Sequence, residues 1–342
     1  MANDVESTGK DQELDKSTQD ALTRAANTVC KECMQIQRSE NVLVVTDPHT
    51  SIIGRALYEA AIKISDRVLM VMMPTTHRHG DEPPAPVADL MRKQDVVLAP
   101  TRYSLTHTRA RMQACREGTR IATMPGITLQ MFTEGGMTTD FNTMQSAIAQ
   151  LGKSLKRQRK VSVKTSSGTN ISFEISGRWE LGDNGICNRP GQVTNLPAGK
   201  ILAMPKEGTM EGVIVIDGTW DAALVNAPLE LKVEAGIVTK VTGEGSEDVK
   251  ALFVEASRKL KPQYQPSVWT VAEFGFGMNP RARLVGNVLE DEKMQGTCYF
   301  AIGDNTNLGG NAHCGIHVTG VMREPTVVIG EMKLLDGGDI RI

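Results

Sequence analysis

The sequence has few aromatic side chains, almost no net charge and no long apolar run. Phe, Trp and Tyr make up 4% of the 342 residues, and 38 Lys and Arg residues stand against 40 Asp and Glu residues. Nucleic acids and anionic membranes are bound by basic patches, and single strands also by stacking aromatic rings. We therefore expect neither a nucleic acid nor a membrane as a partner.

Signals for export and membrane insertion are also missing. Residues 1–20 are polar and acidic, without the apolar core of a signal peptide. No stretch reaches the ~18 apolar residues of a membrane-spanning helix. Cys30 and Cys33 are spaced as CxxC, but they fall in a predicted helix, and no second pair accompanies them to form a zinc site. We expect reduced thiols and a cytoplasmic protein.

The two halves of the chain differ in their hydrophobic pattern. In the first half, apolar strands alternate with helices, which is typical of an open, mostly parallel sheet with helices on both faces. In the second half, alternating apolar and polar residues around turns predict β-hairpins, interrupted by one helix. The sequence predicts a doubly wound α/β domain at 17–157 and an α+β, β-rich domain at 158–342 that carries the site. A mobile tail is predicted at 1–16.

Candidate side chains for chemistry concentrate in the C-terminal half. Glu273 ends an apolar run, where a buried carboxylate needs a partner. His313 and His317 are four residues apart, and imidazole is a common ligand of transition metals. Their flanking glycines predict a loop that leads into a strand, so the two need not converge. In the first half, His107 follows a strand end, where open sheets bind ligands, but it could equally cap the next helix.

Several motifs together resemble the thermophilic-type aminopeptidase family, aminopeptidase T. The superfamily of these metallopeptidases also includes 2,5-dihydroxypyridine 5,6-dioxygenase, a mononuclear iron enzyme. The C-terminal motifs are GluPheGlyPheGlyMetAsnPro at 273–280, AlaIleGlyAspAsn at 301–305 and IleHisValThrGly at 316–320. SerLeuThrHisThr at 104–108 and MetProGlyIleThr at 124–128 agree with them. The resemblance spans roughly residues 40–335 and implies a homodimer or larger assembly.

The metal ligands that the resemblance implies are only partly present. The aminopeptidases bind two metal ions, and Glu273 and His317 match two of their ligands. Lys200 stands where the motif has Glu, Tyr299 where it has His, and Thr319 where it has Asp. The iron dioxygenase has His at the position of Glu273, followed by a HisXaaAsp pair, so that only His317 matches. We expect Lys200 to lie beside Glu273, where its charge would repel a divalent metal.

Three interpretations of the site remain open at this stage. One divalent ion, Zn, Mn or Fe, stays on Glu273 and His317, with Glu292 or His313 as a replacement ligand, and activates water. Alternatively, the site is metal-free, and Lys200, Glu273 and His317 carry out acid–base chemistry in which Lys200 stabilises an oxyanion. In the third interpretation the protein only binds a small molecule or a partner.

We predict a hydrolase that cleaves the C–N bond of a small amide, lactam or short peptide. Glu273 would orient or deprotonate water, and His317 and Lys200 would polarise the carbonyl; Tyr299 completes the predicted catalytic set. The side chains predicted to bind substrate are His107, Asn305 and Thr319. Alternatives are ring-opening dioxygenation of a hydroxylated heterocycle at Fe(II), and non-catalytic binding of a small molecule.

Overall fold

The structure, a computed structural model, describes residues 14–341. Of the tail predicted at 1–16, residues 1–13 lie outside the described part of the chain. The first helix begins at Lys16, and the Asp15 side chain caps it by accepting a hydrogen bond from Thr18 N at 3.0 Å. No helix within residues 14–341 has the length and apolarity to cross a membrane.

Helices concentrate in the first half of the described chain. The α-helices are α1 Lys16–Thr28, α2 Ser51–Ala61, α3 Ala85–Met91, α4 Arg109–Arg116, α5 Leu129–Thr133, α6 Phe141–Leu155, α7 Ser246–Arg258 and α8 Val288–Asp291. Besides α1, three of those in the first half begin at a side-chain cap, with Thr108, Thr128 and Asp140 each accepting from a backbone N–H of the first turn.

Strands occur in both halves and dominate the second. They are β1 Val42–Thr46, β2 Val68–Met72, β3 Val96–Thr101, β4 Arg120–Pro125, β5 Lys160–Lys164, β6 Asn170–Glu180, β7 Val193–Asn195, β8 Lys200–Pro205, β9 Glu211–Ile216, β10 Thr219–Trp220, β11 Ala223–Leu224, β12 Leu229–Glu234, β13 Ile237–Gly243, β14 Val271–Gly277, β15 Cys298–Gly303, β16 His317–Met322, β17 Thr326–Ile329, β18 Met332–Asp336 and β19 Asp339–Ile340.

The first sheet is parallel and has the order β2-β1-β3-β4-β7. Every residue of β1 and β3 is buried, as expected for central strands that are covered by helices on both faces. Its last strand, β7, comes from beyond residue 157, the predicted end of the first domain. Because β7 has only three residues, its sequence carries no recognisable strand pattern.

The second sheet has 14 strands, which pair antiparallel. Its main path runs β11-β10-β16-β15-β14-β8-β6-β5-β17-β18-β19, and β9, β12 and β13 branch from it. The prediction of an α/β first part and a β-rich second part is thus confirmed. Contacts between the two parts include a hydrogen bond from Asn287 Nδ2 to Gly126 O, 2.9 Å long, just past the end of β4.

Candidate active site

Four adjacent strands, β8, β14, β15 and β16, present the candidate site on one face of the second sheet. On β14, Gly277 lies opposite Lys200 of β8, and Gly275 lies opposite Tyr299 of β15. Ala301 of β15 lies opposite Glu273 on one side and Thr319 of β16 on the other. Directly opposed residues of antiparallel strands point to the same face. The register therefore places Lys200, Glu273, Tyr299 and Thr319 together, although they are far apart in the sequence.

The Lys200 ammonium lies between two carboxylates. Its Nζ is 3.0 Å from Glu292 Oε1 and 3.4 Å from Glu273 Oε1. The ring of Tyr299 lies 5.0 Å away, measured to its centroid, which is within the range of a cation–π contact. The side chains of Lys200 and Glu273 are 15% and 11% exposed, so this pair is not completely sealed from solvent.

A second lysine completes the charge cluster. The side chain of Lys293 is fully buried, its Nζ contacts Glu292 Oε1, and it lies 3.6 Å from Asp183 Oδ2. Two ammonium groups thus face three carboxyl groups, those of Asp183, Glu273 and Glu292. A buried charge is stable only when it is paired, so the five groups depend on one another.

Tyr299 holds the carboxylate of Glu273. Its hydroxyl donates a hydrogen bond to Glu273 Oε1. The ring lies directly over Gly275, where the Cβ of any other residue would collide with it. Glycine at 275 therefore makes room for the tyrosine that orients Glu273, which explains this part of the glycine-rich motif.

The pKa values of the cluster follow from burial and from the two lysines. Burial alone would raise the pKa of Glu292, but the charges of Lys200 and Lys293 outweigh it and lower the pKa to about 2. For Lys200, burial acts downward, yet the carboxylates of Glu292, Glu273 and Asp183 hold its pKa above the ordinary value. Both groups are therefore charged at neutral pH.

At Asp183 and Tyr299, burial is the main cause of the pKa shift. It raises the pKa of Asp183, which the charges of Lys293 and Lys200 offset only in part. It also raises the pKa of Tyr299 well above its ordinary value, and the neighbouring charge of Glu273 adds to this. Tyr299 thus remains a hydrogen-bond donor at neutral pH.

Two of the predicted histidines lie at the rim of the site. His107 lies at the surface, in the loop before α4. Partial desolvation of its imidazole lowers its pKa, and the charges of Arg111, His317 and Lys200 add to this. His317 is also exposed, and its Nδ1 lies 2.9 Å from Asp304 O. Each of the two protein parts therefore contributes one imidazole to this rim.

The other predicted residues of the C-terminal loop have local partners. The side chain of His313 is 86% exposed, with Nδ1 3.6 Å from Asp304 Oδ2, and so points away from the buried cluster. Asn305 is buried, and its Oδ1 accepts from Ala312 N at 2.8 Å, which closes the loop. Among the predicted substrate-binding residues, Thr319 lies on the site face, whereas Asn305 shapes the loop beside it.

Sequence reasoning missed two members of the cluster, Asp183 and Lys293. Asp183 belongs to an irregular segment between β6 and β7, and no local pattern marks it. Lys293 ends the run GluAspGluLys at 290–293, which reads as a solvated charged segment. All four of these side chains are in fact buried, and the only signal in the sequence is that this charged run comes shortly before the apolar residues of β15.

The residues present do not fit the metal that the resemblance implies. Across residues 14–341, no three His, Cys, Asp or Glu side chains are arranged to hold a metal ion. Glu292 Oε1 is bound by Lys200 and Lys293, and Glu273 Oε1 by Lys200 and Tyr299. A divalent ion on these oxygens would meet two ammonium groups at short range.

The comparisons with known proteins agree with this fold. A family model described as 2,5-dihydroxypyridine 5,6-dioxygenase matches residues 21–342. The curated 2,5-dihydroxypyridine 5,6-dioxygenase of Pseudomonas putida is 22% identical over 200 residues, which are 54% of this chain and 55% of that protein. The sequence match therefore spans about half the length of that relative.

Two solved structures share the fold. That of 2,5-dihydroxypyridine dioxygenase from Pseudomonas putida KT2440 has a TM-score of 0.79 at 18% identity, over 94% of this chain and 96% of that one. Wild-type AmpT from Thermus thermophilus has a TM-score of 0.66 at 15% identity, over 95% and 100%. At such identities the structures show the fold alone, whereas the family model covers nearly the whole chain. The chain belongs to the 2,5-dihydroxypyridine 5,6-dioxygenase family.

Proposed function

We propose that this protein is an enzyme that opens the ring of a small, hydroxylated nitrogen heterocycle, with dioxygen as the co-substrate. The family supports the reaction and the class of substrate. The observation that carries the proposal is the partly exposed pair of Lys200 and Glu273, whose charged atoms lie 3.4 Å apart. A ring hydroxyl is a weak acid, and this pair offers a carboxylate for its proton and an ammonium for the resulting oxyanion.

Each residue of the cluster would have a separate role in the proposed reaction. Glu273, oriented by Tyr299, accepts the proton of the ring hydroxyl, and Lys200 pairs with the ring oxygen. Lys293 has no exposed surface and would only hold Glu292 in place. His107 and His317, at the rim, would contact the polar groups of the ring that point outward.

Electrons for the reduction of dioxygen would come from the ionised ring itself. Ionisation makes the ring electron-rich, and oxygen then adds to a ring carbon. One ring bond and the O–O bond break, and both oxygen atoms stay in the product. The proton held by Glu273 returns to the product, so the reaction needs no external reductant.

A second candidate is hydrolysis of a ring C–N bond, the function predicted from the sequence. A hydroxyl next to a ring nitrogen interconverts with a cyclic amide. The specific observation in its favour is the Lys200–Glu273–Tyr299 arrangement, which could polarise that carbonyl and deprotonate water. The similarity to AmpT shows the fold and does not carry this candidate.

The test is turnover of a panel of hydroxypyridines and their saturated lactam counterparts, with and without added Fe(II). Oxygen uptake and a product heavier by two oxygen atoms would support ring-opening dioxygenation; a product heavier by one water would support hydrolysis. Lys200→Met should abolish either activity, and Lys232→Met, at an exposed position in β12, should not. Lack of any turnover across the panel would contradict both candidates.

We also propose an assembly state, a cellular location and a domain division for this protein. The homodimer or larger assembly is checked by light scattering after gel filtration, and the cytoplasmic location by cell fractionation. The division into domains at 17–157 and 158–342 is checked by limited proteolysis.

A further inference from the structure

The Lys200 ammonium lies where a bound cation would lie. Two carboxylates from different segments approach it, Glu292 at 3.0 Å and Glu273 at 3.4 Å. The aromatic face of Tyr299 lies on a third side. Anionic oxygens that converge on one point from separate elements are the usual surroundings of a metal ion, and here the point is taken by a side chain of the chain itself.

The backbone holds this lysine at one place. Gly199 N and Lys200 N both donate to Asp183 O, at 3.0 and 3.2 Å. Gly199 has a φ of +121°, and a Cβ there would lie 2.8 Å from Asn279 Cβ, so glycine is required by both conformation and space. The turn before β8 therefore delivers the ammonium to a defined position, unlike a mobile surface lysine.

Lys293 strengthens the case because it contacts the same oxygen of Glu292 as Lys200 does. It is fully buried, contacts Glu292 Oε1 and lies 3.6 Å from Asp183 Oδ2. The carboxylate of Glu292 is thus paired with two lysine ammonium groups. A divalent ion could bind its carboxylate only against both of them.

We propose that the Lys200 ammonium takes the place of a divalent metal ion, so that the wild-type site binds no metal. We further propose that the single change Lys200→Glu converts the cluster into a divalent-cation site. That change replaces the ammonium by a third carboxylate next to Glu273 and Glu292, a set of hard oxygen donors suited to Mn²⁺. The inference concerns the cation alone and stands whether or not the proposed reaction is correct.

The experiment is a calorimetric titration with Mn²⁺, together with melting temperatures measured with and without Mn²⁺. It compares the wild type, Lys200→Glu and the control Lys232→Glu, which adds a carboxylate at an exposed site. We expect Lys200→Glu to bind one Mn²⁺ per chain about tenfold or more tightly than the wild type, with a higher melting temperature in Mn²⁺. Lys232→Glu should behave like the wild type.

Two outcomes would overturn the inference. One is stoichiometric Mn²⁺ binding by the wild type that Glu273→Gln abolishes. The other is a folded Lys200→Glu variant that binds Mn²⁺ no better than the wild type.

Lys200→Ala tests the same inference without a new carboxylate, in case Lys200→Glu does not fold. Ethylammonium chloride should raise the melting temperature of Lys200→Ala more than an equal concentration of sodium chloride, because the organic cation can enter the vacated position. Equal effects of the two salts would contradict the inference. None of these measurements involves a substrate, so a failed activity screen leaves them decisive.

Discussion

Two neighbouring pairs in the run 290–293, Glu290 with Asp291 and Glu292 with Lys293, have side chains with different kinds of partner. Glu290 and Asp291 bind backbone: Glu290 Oε1 accepts from Gly136 N at 3.0 Å and Arg283 N at 2.9 Å. Asp291 accepts from the N–H groups of residues 285 and 286. Glu292 and Lys293 instead belong to the charge cluster. The first pair shapes loops, and the second faces the candidate site.

The pKa values separate Glu290 from Glu292 as clearly as the contacts do. Burial raises the pKa of Glu290 to about 7, because its backbone partners offset it only in part. The full charges of Lys200 and Lys293 overcome the burial of Glu292 and lower its pKa to about 2. For these two glutamates, burial alone therefore does not decide the pKa. Glu290 has backbone amides as partners, whereas Glu292 has two ammonium groups in direct contact.

The largest expected effect comes from removing the buried cation. Lys293→Met leaves Glu292 and Asp183 short of a countercharge inside the protein. We expect a loss of about 3 to 5 kcal/mol in the free energy of unfolding, measured with urea at neutral pH. Lys232→Met, at an exposed site, should change it by less than about 0.5 kcal/mol. A loss below about 1 kcal/mol for Lys293→Met would mean that Lys200 alone stabilises the carboxylates.

The next effect is a pH dependence of opposite sign at the two glutamates. Between the ordinary pKa of 4.5 and the folded value of about 7, Glu290 keeps a proton that the unfolded chain has lost. Stability therefore falls as the pH rises through this window. Glu292, with a folded pKa of about 2, contributes stability that is fully present above pH 4.5 and is lost as the pH falls toward 2.

Glu290→Gln isolates the first of these two effects. Relative to the wild type, this variant should gain up to ~3 kcal/mol between pH 4.5 and 7, because glutamine has no proton to lose. The measurement is a series of urea unfolding curves across that range. A difference in the free energy of unfolding between the variant and the wild type that stays constant across this pH range would show that the pKa of Glu290 is not raised.

The smallest effect on stability is expected at Tyr299. Tyr299→Phe keeps the ring over Gly275 but removes the hydrogen bond to Glu273. We expect a loss of about 1 kcal/mol in the free energy of unfolding, together with a large loss of turnover, since Glu273 is no longer oriented. Unchanged turnover would remove Tyr299 from the proposed mechanism.

The sequence was sufficient to predict the fold class and the closeness of two candidate side chains. Strand–helix alternation predicted the parallel sheet, and the family resemblance predicted that Lys200 lies beside Glu273. The structure places the two side chains 3.4 Å apart. The resemblance was specific because it depended on motifs that coincide with strand ends and tight turns.

Other parts of the site could not be predicted, for physical reasons. Asp183 and Lys293 meet only through tertiary packing, and neither lies in a periodic element. A charged run such as 290–293 normally faces solvent, so its burial is visible only once the chain is folded. The prediction of hydrolysis over dioxygenation depended on Glu273, which matches the aminopeptidase motif, and the family membership favours the other alternative.

The most direct test of the central claim, that lysine cations replace a metal here, is elemental mass spectrometry of the purified wild-type protein. The protein should be produced in medium supplied with Fe, Mn and Zn, and compared with Glu273→Gln. We expect far less than one equivalent of any of these metals in both proteins. Close to one equivalent in the wild type, lost in Glu273→Gln, would contradict it and return iron or another divalent ion to this site.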